Sequence, residues 1–587
     1  MTDVLVVGAG PTGLTLAVDL ARRGAAVRII DRGPTFPTGS RGKGLSPRSL
    51  EVLDDLGVAD RISASGVTHL PHRKYQGTEV TAEVDPEAGI VPTPGVPYPT
   101  TVLIPQWRVE QILRDRLAEF GVTVELGTEL RAFHQHADGV TATISGADGS
   151  AGADTPAVGA GGTADGAVRS STPGGMIRDG AVRDSTADDM VRDGTGRDST
   201  AGGAVRDSTI EARYLVGCDG GRSTVRRALG LAMRGETPDV QLMAVGDVEV
   251  EGLSRDVWHQ WFAGGEAMML CPLPGTRSFQ VQASHELDAE GVPLAPTLER
   301  FQRTFDRVTG VPGVRLHNLT WRSTYRVNVR MVDRLRSDRV FLAGDAAHIH
   351  PIAGGLGMNI GIQDAYNLGW KLGLVLAGRA SDALLDTYEE ERLPIASRLL
   401  DITSERLAVV LDAVKQRGGG IDAVATPELT QLAVNYPWSR LSRDRTAKST
   451  AIRPGNRAPD ASGRLFDLFR GPHFTLLHVP AKAARTPGVE QATTGSRLEV
   501  EQATTASGLE KAATASGAAQ TTSTPTVKEA VTVSGLAVVH SHVVEPDGHV
   551  TAAYGTGVQV LVRPDGYVAM VAEDTDKSAV DDYLGAL

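Results

Sequence analysis

The sequence predicts an α/β fold, with a Rossmann-like domain, an inserted β-sheet domain and a C-terminal domain. Three observations predict it. Residues 4–31 read as strand, Gly8-x-Gly10-x-x-Gly13 turn, helix and strand, the ~30-residue βαβ context that such a turn requires. Two further apolar strands, residues 214–217 and 340–343, run into Asp219-Gly220 and Gly344-Asp345. Residues 71–100 and 236–330 change to strand-like alternation, which reads as a sheet in a different layer.

Each element follows from its local pattern. Residues 4–7 are a short apolar run, as a buried parallel strand is. Residues 14–23 place Leu14, Ala17, Val18 and Ala21 on one helical face, and Gly24 ends the helix. Residues 27–30 make the second strand, closed by Asp31. Residues 46–56 predict a helix with Ser46 as N-cap, Pro47 at the first helical position and Leu50, Leu53 and Leu56 inward. Residues 106–120 return to helix, and 122–126 and 141–144 to strand. In the inserted layer, 242–250, 258–262 and 278–283 read as strands. Residues 361–376 and 382–400 predict helices, followed by a helical linker over 401–449. In the last unit, 474–479 and 559–562 are strands, the second turning through 563–567 into a third.

This divides the chain into 1–70, 101–235 and 331–400 for the Rossmann-like domain, 71–100 and 236–330 for the inserted domain, and 450–587 for the last. Two low-complexity stretches interrupt it. Residues 146–209 consist mainly of Gly, Ala, Ser, Thr, Asp and Arg, with Ala-Val-Arg-Asp-Ser-Thr at both 181–186 and 204–209. So few bulky residues cannot offset ordering entropy, which predicts a disordered insertion in a surface hairpin whose ends, 141–144 and 209–212, still pair. Residues 485–530 hold a near-repeat rich in Gly, Ser and Thr and read as a second flexible insertion.

The charge balance, 59 basic against 71 acidic residues, lacks any basic block and argues against a nucleic-acid partner. No run of about 20 apolar residues is present to span a bilayer. The glycine turn begins at residue 8, leaving no room for a signal peptide. The two cysteines, Cys218 and Cys271, point to a reducing cytoplasm rather than a disulfide framework.

The glycine turn carries the first chemistry. Gly8 permits the tight turn, Gly10 lets backbone approach a pyrophosphate, and Gly13 lets helix pack on strand. The helix that begins at Pro11-Thr12 aims N–H groups and its positive dipole end at phosphate. Asp31, with Arg32 beside it, is placed to accept hydrogen bonds from the adenosine ribose. An acid there disfavours a 2′-phosphate, so the site suits FAD or NAD. There is one such fingerprint, so with FAD in it any NADPH or NADH visits transiently. His348 and His350 are two apart with no third ligand nearby, and no metal site is predicted.

The three motifs, in this order and at these separations, resemble the FAD-dependent aromatic hydroxylases (group A flavoprotein monooxygenases). The pattern is most similar to the members that tailor aromatic polyketides. The resemblance implies a p-hydroxybenzoate hydroxylase-like fold with an FAD-binding domain, a substrate-binding domain and a C-terminal thioredoxin-like domain. The last has no Cys-x-x-Cys, so a structural or dimer-packing role is expected of it. It implies that Asp219 touches the flavin pyrophosphate and the nicotinamide route, and that Asp345 binds the ribityl hydroxyls. Pro351, Gly355, Gly357, Met358 and Asn359 match the loop and helix start beneath the isoalloxazine, with Pro351 beside the C4a edge. Arg41 and Lys43 align with a basic pair near the pyrophosphate and incoming nicotinamide, and Gln106 with a glutamine on the ribityl side. Pocket candidates in the substrate layer are His72, Tyr75, Trp258, His259 and Trp261; no catalytic base is named.

The function this implies is an NADPH- or NADH-using monooxygenase. The flavin C4a-hydroperoxide would hydroxylate a phenolic or quinonoid polyketide, in a cytoplasmic monomer or homodimer. Phenol or phenylpropionate hydroxylation, a Baeyer–Villiger outcome and antibiotic inactivation stay open as alternatives. So do a flavin dehydrogenase or reductase that never activates O2, and a catalytically dead binding module.

Overall fold

The structure, a computed structural model, describes residues 1–146, 206–236, 243–325, 329–349, 355–415, 427–447, 450–461, 463, 465–481, 528–534 and 537–587. The strand Thr2–Val7 lies at the centre of the first sheet. It pairs in parallel with Val27–Asp31 on one side and with Arg206–Gly217 on the other. Val124–Leu126 and Val340–Leu342 extend the sheet, again in parallel. The three strands that carry the motifs are therefore neighbours, with their carboxyl ends side by side. The chain winds outward from Thr2–Val7 in both directions, which makes this strand the topological switch point where α/β sheets bind ligands.

The hairpin Glu129–His136 and Gly139–Gly146 joins this sheet through Arg206–Gly217. The expected pairing is present, with Thr209 opposite Thr143 and Ala212 opposite Val140. It runs further than expected, to Arg206 opposite Gly146, so residues 146 and 206–209 belong to the hairpin. Ladder bonds use backbone alone, and a Gly- and Ser-rich composition does not prevent them. The rest of the first predicted insertion, 147–205, lies outside the described residues. So does most of the second, although its last residues begin the strand Lys528–Ser534.

The inserted sheet has seven strands, in the order Arg315–Tyr325, Met243–Glu251, Ser278–Ser284, Glu266–Pro272, Trp258–Ala263, His72–Gln76 and Glu79–Val84. Its two faces differ. Trp261, Met268, Leu270, Phe279 and Val281 pack against Phe301 and Phe305 of the helix Leu298–Thr309. The register puts Asp247, Gln280, Cys271, Gln282, Met269 and Gln260 on the other face. Four of these are polar and yet buried, so this face is covered by more than solvent.

The helix Leu356–Leu376 starts earlier than predicted and packs along Pro11–Arg22. Gly361, Ala365, Gly369 and Gly373 form one four-residue row on it. A Cβ at Gly361 would stand 2.3 Å from Thr12 Oγ1, at Gly369 2.2 Å from Asp19 Oδ2, and at Gly373 2.6 Å from Arg23 Cδ. Asp19, wholly buried, is held there by Arg22 at 2.6 Å and Arg23 at 3.1 Å.

The predicted helix over 382–400 is a 3-10 turn, Asp382–Leu385, followed by the helix Asp386–Lys415. The expected border at residue 400 therefore falls inside a helix. No Gly or Pro occurs between Pro394 and Gly418 to stop it.

The C-terminal unit is a mixed six-stranded sheet with helices, as a thioredoxin-like domain requires. Its turn at residues 563–567 does more than join two strands. Arg563, wholly buried, bonds Glu391 at 2.5 and 3.1 Å and Asp565 at 2.6 and 2.9 Å. Lys371 meets the same Glu391 at 2.8 Å, and Trp370 donates to Asp565 at 3.0 Å. The turn is a polar plug in the wall of the first domain. Burial pulls the Lys371 ammonium down to about 8, despite Glu391.

Replacing Gly369 by Leu should force Asp19 out of its arginine clamp. The expected cost is about 1–3 kcal/mol, the usual penalty of overpacking, read as a lower thermal midpoint together with weaker FAD retention.

Candidate active site

The three motifs interlock with room for hydrogen atoms alone. Gly8 has φ +103°, and a Cβ there would stand 2.4 Å from the Cys218 carbonyl oxygen. A Cβ on Gly13 would be 2.0 Å from the carbonyl oxygen of Gly8, and one on Gly344 2.5 Å from Thr12 Oγ1. Gly10 differs: a Cβ there would meet nothing within 4 Å among the described residues, so the outer side of the turn is open. Gly10 is the N-cap of Pro11–Arg22, with no side-chain cap and no acid in the first turn. Leu14 N–H makes the first bond back, to Gly10 at 3.0 Å, so the N–H groups of Thr12 and Gly13 have no intrahelical acceptor.

The acids surround this opening. Asp31 accepts from Ala9 N–H and Gly33 N–H, each at 2.8 Å, so it also closes the turn it was expected to serve. Arg32 and Arg41 are exposed. Asp219 Oδ2 accepts from Thr224 N–H at 2.6 Å and Val225 N–H at 3.3 Å, while the buried Oδ1 has no partner among the described residues. Burial pushes the Asp219 carboxyl up, against the hydrogen bonds it receives from Ser223, Thr224 and Val225. Asp345 is exposed in the 3-10 turn Gly344–Ala346, and a Cβ on Gly357 would lie 3.9 Å from its Oδ1.

The helix Leu356–Leu376 begins at Gly355, φ +64°, again with no side-chain cap and no acid in its first turn. The Asn359 side chain is fully engaged. Its Oδ1 accepts from Ser46 N–H at 2.8 Å and its Nδ2 donates to Gly44 and Gly355 carbonyls at 3.0 and 2.9 Å. What this helix start offers a ligand is backbone. Gln106 is likewise occupied, its Oε1 accepting from Gly42 N–H at 3.2 Å and its Nε2 donating to Glu110 at 2.8 Å. A Cβ on Gly42 would be 3.7 Å from Met358 Sδ, so this loop touches the helix start.

Loop residues 39–43 cover the polar face of the inserted sheet. Ser40 donates to Asp247 from both N–H, at 2.8 Å, and Oγ. Gln280 donates to Ser40 Oγ at 2.9 Å. Lys43 Nζ donates to Gln280 Oε1 at 2.5 Å and stands 4.4 Å above the Trp258 ring. Burial pulls the Lys43 ammonium down, opposed by Cys271 and Asp247. Burial also raises Asp247 to about 6, against its bonds from Ser40 and the charge of Lys43.

The five aromatic and histidine candidates do not share a face. His72 and Trp258 lie on the polar face, 5.0 Å apart and near-perpendicular. Tyr75, His259 and Trp261 stack on the opposite face, with Tyr75 and Trp261 4.3 Å apart, and pack toward Phe279 and Phe305. They belong to the core of the sheet, not to a pocket beside the first domain. Strand side chains alternate, so Trp258 and Trp261, three apart, point to opposite faces.

Pro351 and His350 lie outside the described residues. His348 is a structural partner: its Nε2 meets Asp364 Oδ2 at 2.6 Å. Asp364 also accepts from Arg392 at 2.7 Å and from Gly344 N–H at 3.1 Å, anchoring the third motif. Among the described residues no group of three or more His, Cys, Asp or Glu is placed to hold a metal. Among the acids that escaped the sequence reading are Asp364 and Glu110. Each is an acid within a buried helical row, the one signal that could have marked it. Glu110 Oε2 is buried with no partner among the described residues.

A glycine-lined turn open on its outer side, two uncapped helix starts and an unpaired buried carboxylate oxygen fit a flavin dinucleotide. The comparisons agree. The family described as "FAD binding domain" matches residues 1–176 and 172–403. A flavin-dependent monooxygenase of Mycobacteroides abscessus is 40% identical over 82% of this chain and 89% of its own. A 6-methylpretetramide 4-monooxygenase of Streptomyces rimosus is 30% identical over 100% of this chain and 93% of its own. The crystal structure of aklavinone-11 hydroxylase, a complex with FAD and aklavinone, shares the fold. Its TM-score is 0.70 at 23% identity, covering 99% of this chain and 98% of that one. This chain belongs to the FAD-binding family of flavin-dependent monooxygenases. It is an FAD-dependent, oxygen-using enzyme.

Asp219→Asn keeps the size and an acceptor for the helix cap but removes the charge. It should weaken FAD binding roughly ten-fold, by the loss of a charge-assisted hydrogen bond, measured as flavin retained on dilution. Asp364 has its own pH signature. Burial raises its pKa, but His348 and Arg392 outweigh burial and bring it to about 2, below the ordinary 3.8. Its stabilisation is therefore complete above the ordinary value and lost as pH falls toward 2. Asp364→Asn should lower the thermal midpoint at neutral pH and flatten its fall across that acid window.

Proposed function

We propose that this enzyme hydroxylates a phenolic or quinonoid polycyclic arene of the polyketide type, using NADPH or NADH and O2. The observation that carries this reading is the covered polar face. Trp258 and Gln280 of the sheet, with Lys43 of the loop above them, offer a flat aromatic surface edged by hydrogen-bonding groups, and that loop also touches the start of the flavin-side helix. The whole-length similarity to a monooxygenase of a polyketide supports it.

In this reading, backbone N–H groups of Thr12 and Gly13 hold the FAD pyrophosphate. Asp31 holds the ribose, with Arg32 nearby, Asp219 stands beside the pyrophosphate and the nicotinamide route, and Asp345 orients the ribityl chain. The N–H groups that follow Gly355 stabilise negative charge on the reduced ring, and Gly357 and Met358 line its face. Gln106 and Asn359 position the loop and helix start rather than the ring. Pro351 keeps its assignment to the ring edge from the resemblance, and Arg41 its place on the nicotinamide route. Bound FAD supplies hydride acceptance and oxygen activation. The chain acts in the cytoplasm as a monomer or homodimer; Cys218 and Cys271 are both buried and free.

The test is NADPH and NADH oxidation by the purified holoenzyme, with and without a hydroxylated anthraquinone, alongside O2 uptake and product mass. The arene is expected to accelerate flavin reduction and to gain one oxygen atom. Reduction indifferent to the arene, with no oxygen in the product, would overturn the arene reading.

A further inference from the structure

The substrate layer contains a lysine ammonium held by a neutral amide and an aromatic ring. An ammonium has three N–H donors. Lys43 gives one to Gln280 Oε1 and rests its charge on the Trp258 ring. Among the described residues no carboxylate forms a salt bridge with it. Asp247, on the strand Met243–Glu251, and Cys271, on Glu266–Pro272, act on it through space. Both oxygens of Asp247 are already taken by Ser40. An ammonium that rests on an aromatic face with a neutral amide as its hydrogen-bond partner keeps charge and donors for an anionic ligand.

The position fits that ligand. Lys43 adjoins Gly42, which meets both Gln106 and the Met358 helix start, and its ammonium faces the sheet. It therefore stands between the flavin-side helix and the aromatic surface of Trp258. We propose that Lys43 is the anion-recognition residue of the substrate pocket, binding an ionised phenol or enol oxygen of an arene that lies against Trp258. Gln280 is its positioning residue, and the Ser40–Asp247 pair fixes the loop that presents it. The proposal rests on the arene hydroxylase reading above and assigns Lys43 to substrate rather than to the pyrophosphate. A neighbouring ammonium favours the ionised form, so the bound phenol ionises more readily than in water.

The experiment titrates 1,2-dihydroxyanthraquinone bound to the oxidised holoenzyme, following phenolate absorbance beyond the flavin bands. The bound midpoint is expected about one pH unit or more below that of the free dye, a tenfold effect. Lys43→Met should abolish the shift and Lys43→Arg should retain it. 1,2-Dimethoxyanthraquinone, which cannot ionise, should bind wild type and Lys43→Met within about two-fold. Should Lys43→Met lose its flavin, Gln280→Leu reports instead, with a reduced shift. A bound dye whose midpoint is the same in wild type and Lys43→Met overturns this proposal alone. Failure of both dyes to bind overturns it together with the arene reading.

Discussion

Everything in the first domain depends on how closely backbone can approach backbone around the first turn. The side chains of Thr12 and Asp19 occupy space that glycine leaves empty on the helix Leu356–Leu376. The turn at Gly8 rests on the carbonyl of Cys218, and Gly13 on that of Gly8. These contacts draw three chain segments, hundreds of residues apart in sequence, to one opening at the carboxyl edge of the sheet. A methyl group at any of these positions would push the segments apart and separate the acids from the helix starts.

Buried charge holds that geometry in register. Arg22, clamped with Arg23 on Asp19, joins the first helix to Asp55, Asp364 joins the third motif to Arg392, and Glu391 joins Lys371 to Arg563. Pairs this deep gain little net stability, because desolvation offsets their attraction. Each tolerates few alternative packings, however, since a shifted partner leaves a bare charge behind. The C-terminal turn at 563–567 is part of this system, so the last domain seals the wall of the first.

The inserted sheet separates two tasks by face. One face packs aromatic rings against a helix. The other carries amides, Asp247 and Trp258 beneath the loop of Ser40 and Lys43. The loop is thus shared between cofactor side and substrate side, which gives the polar residues beneath it a route to both.

The sequence by itself determined the βαβ unit, the order of the three motifs and the two-layer organisation. These rest on local signals: a glycine spacing, an apolar run, an alternation. It also marked Gly8, Asp219 and Asp345, because each must sit at a strand end. Only the tertiary structure decided which side chains are spoken for. Asn359 and Gln106 turn out to brace backbone, and His348 to pair with Asp364, through partners far along the chain. Tyr75, His259 and Trp261 fall on the core face because strand register, set by pairing with distant strands, decides what a side chain meets. For the same reason Lys43, which reads in sequence as a loop cation for phosphate, meets Gln280 and Trp258 once that sheet is assembled beneath it.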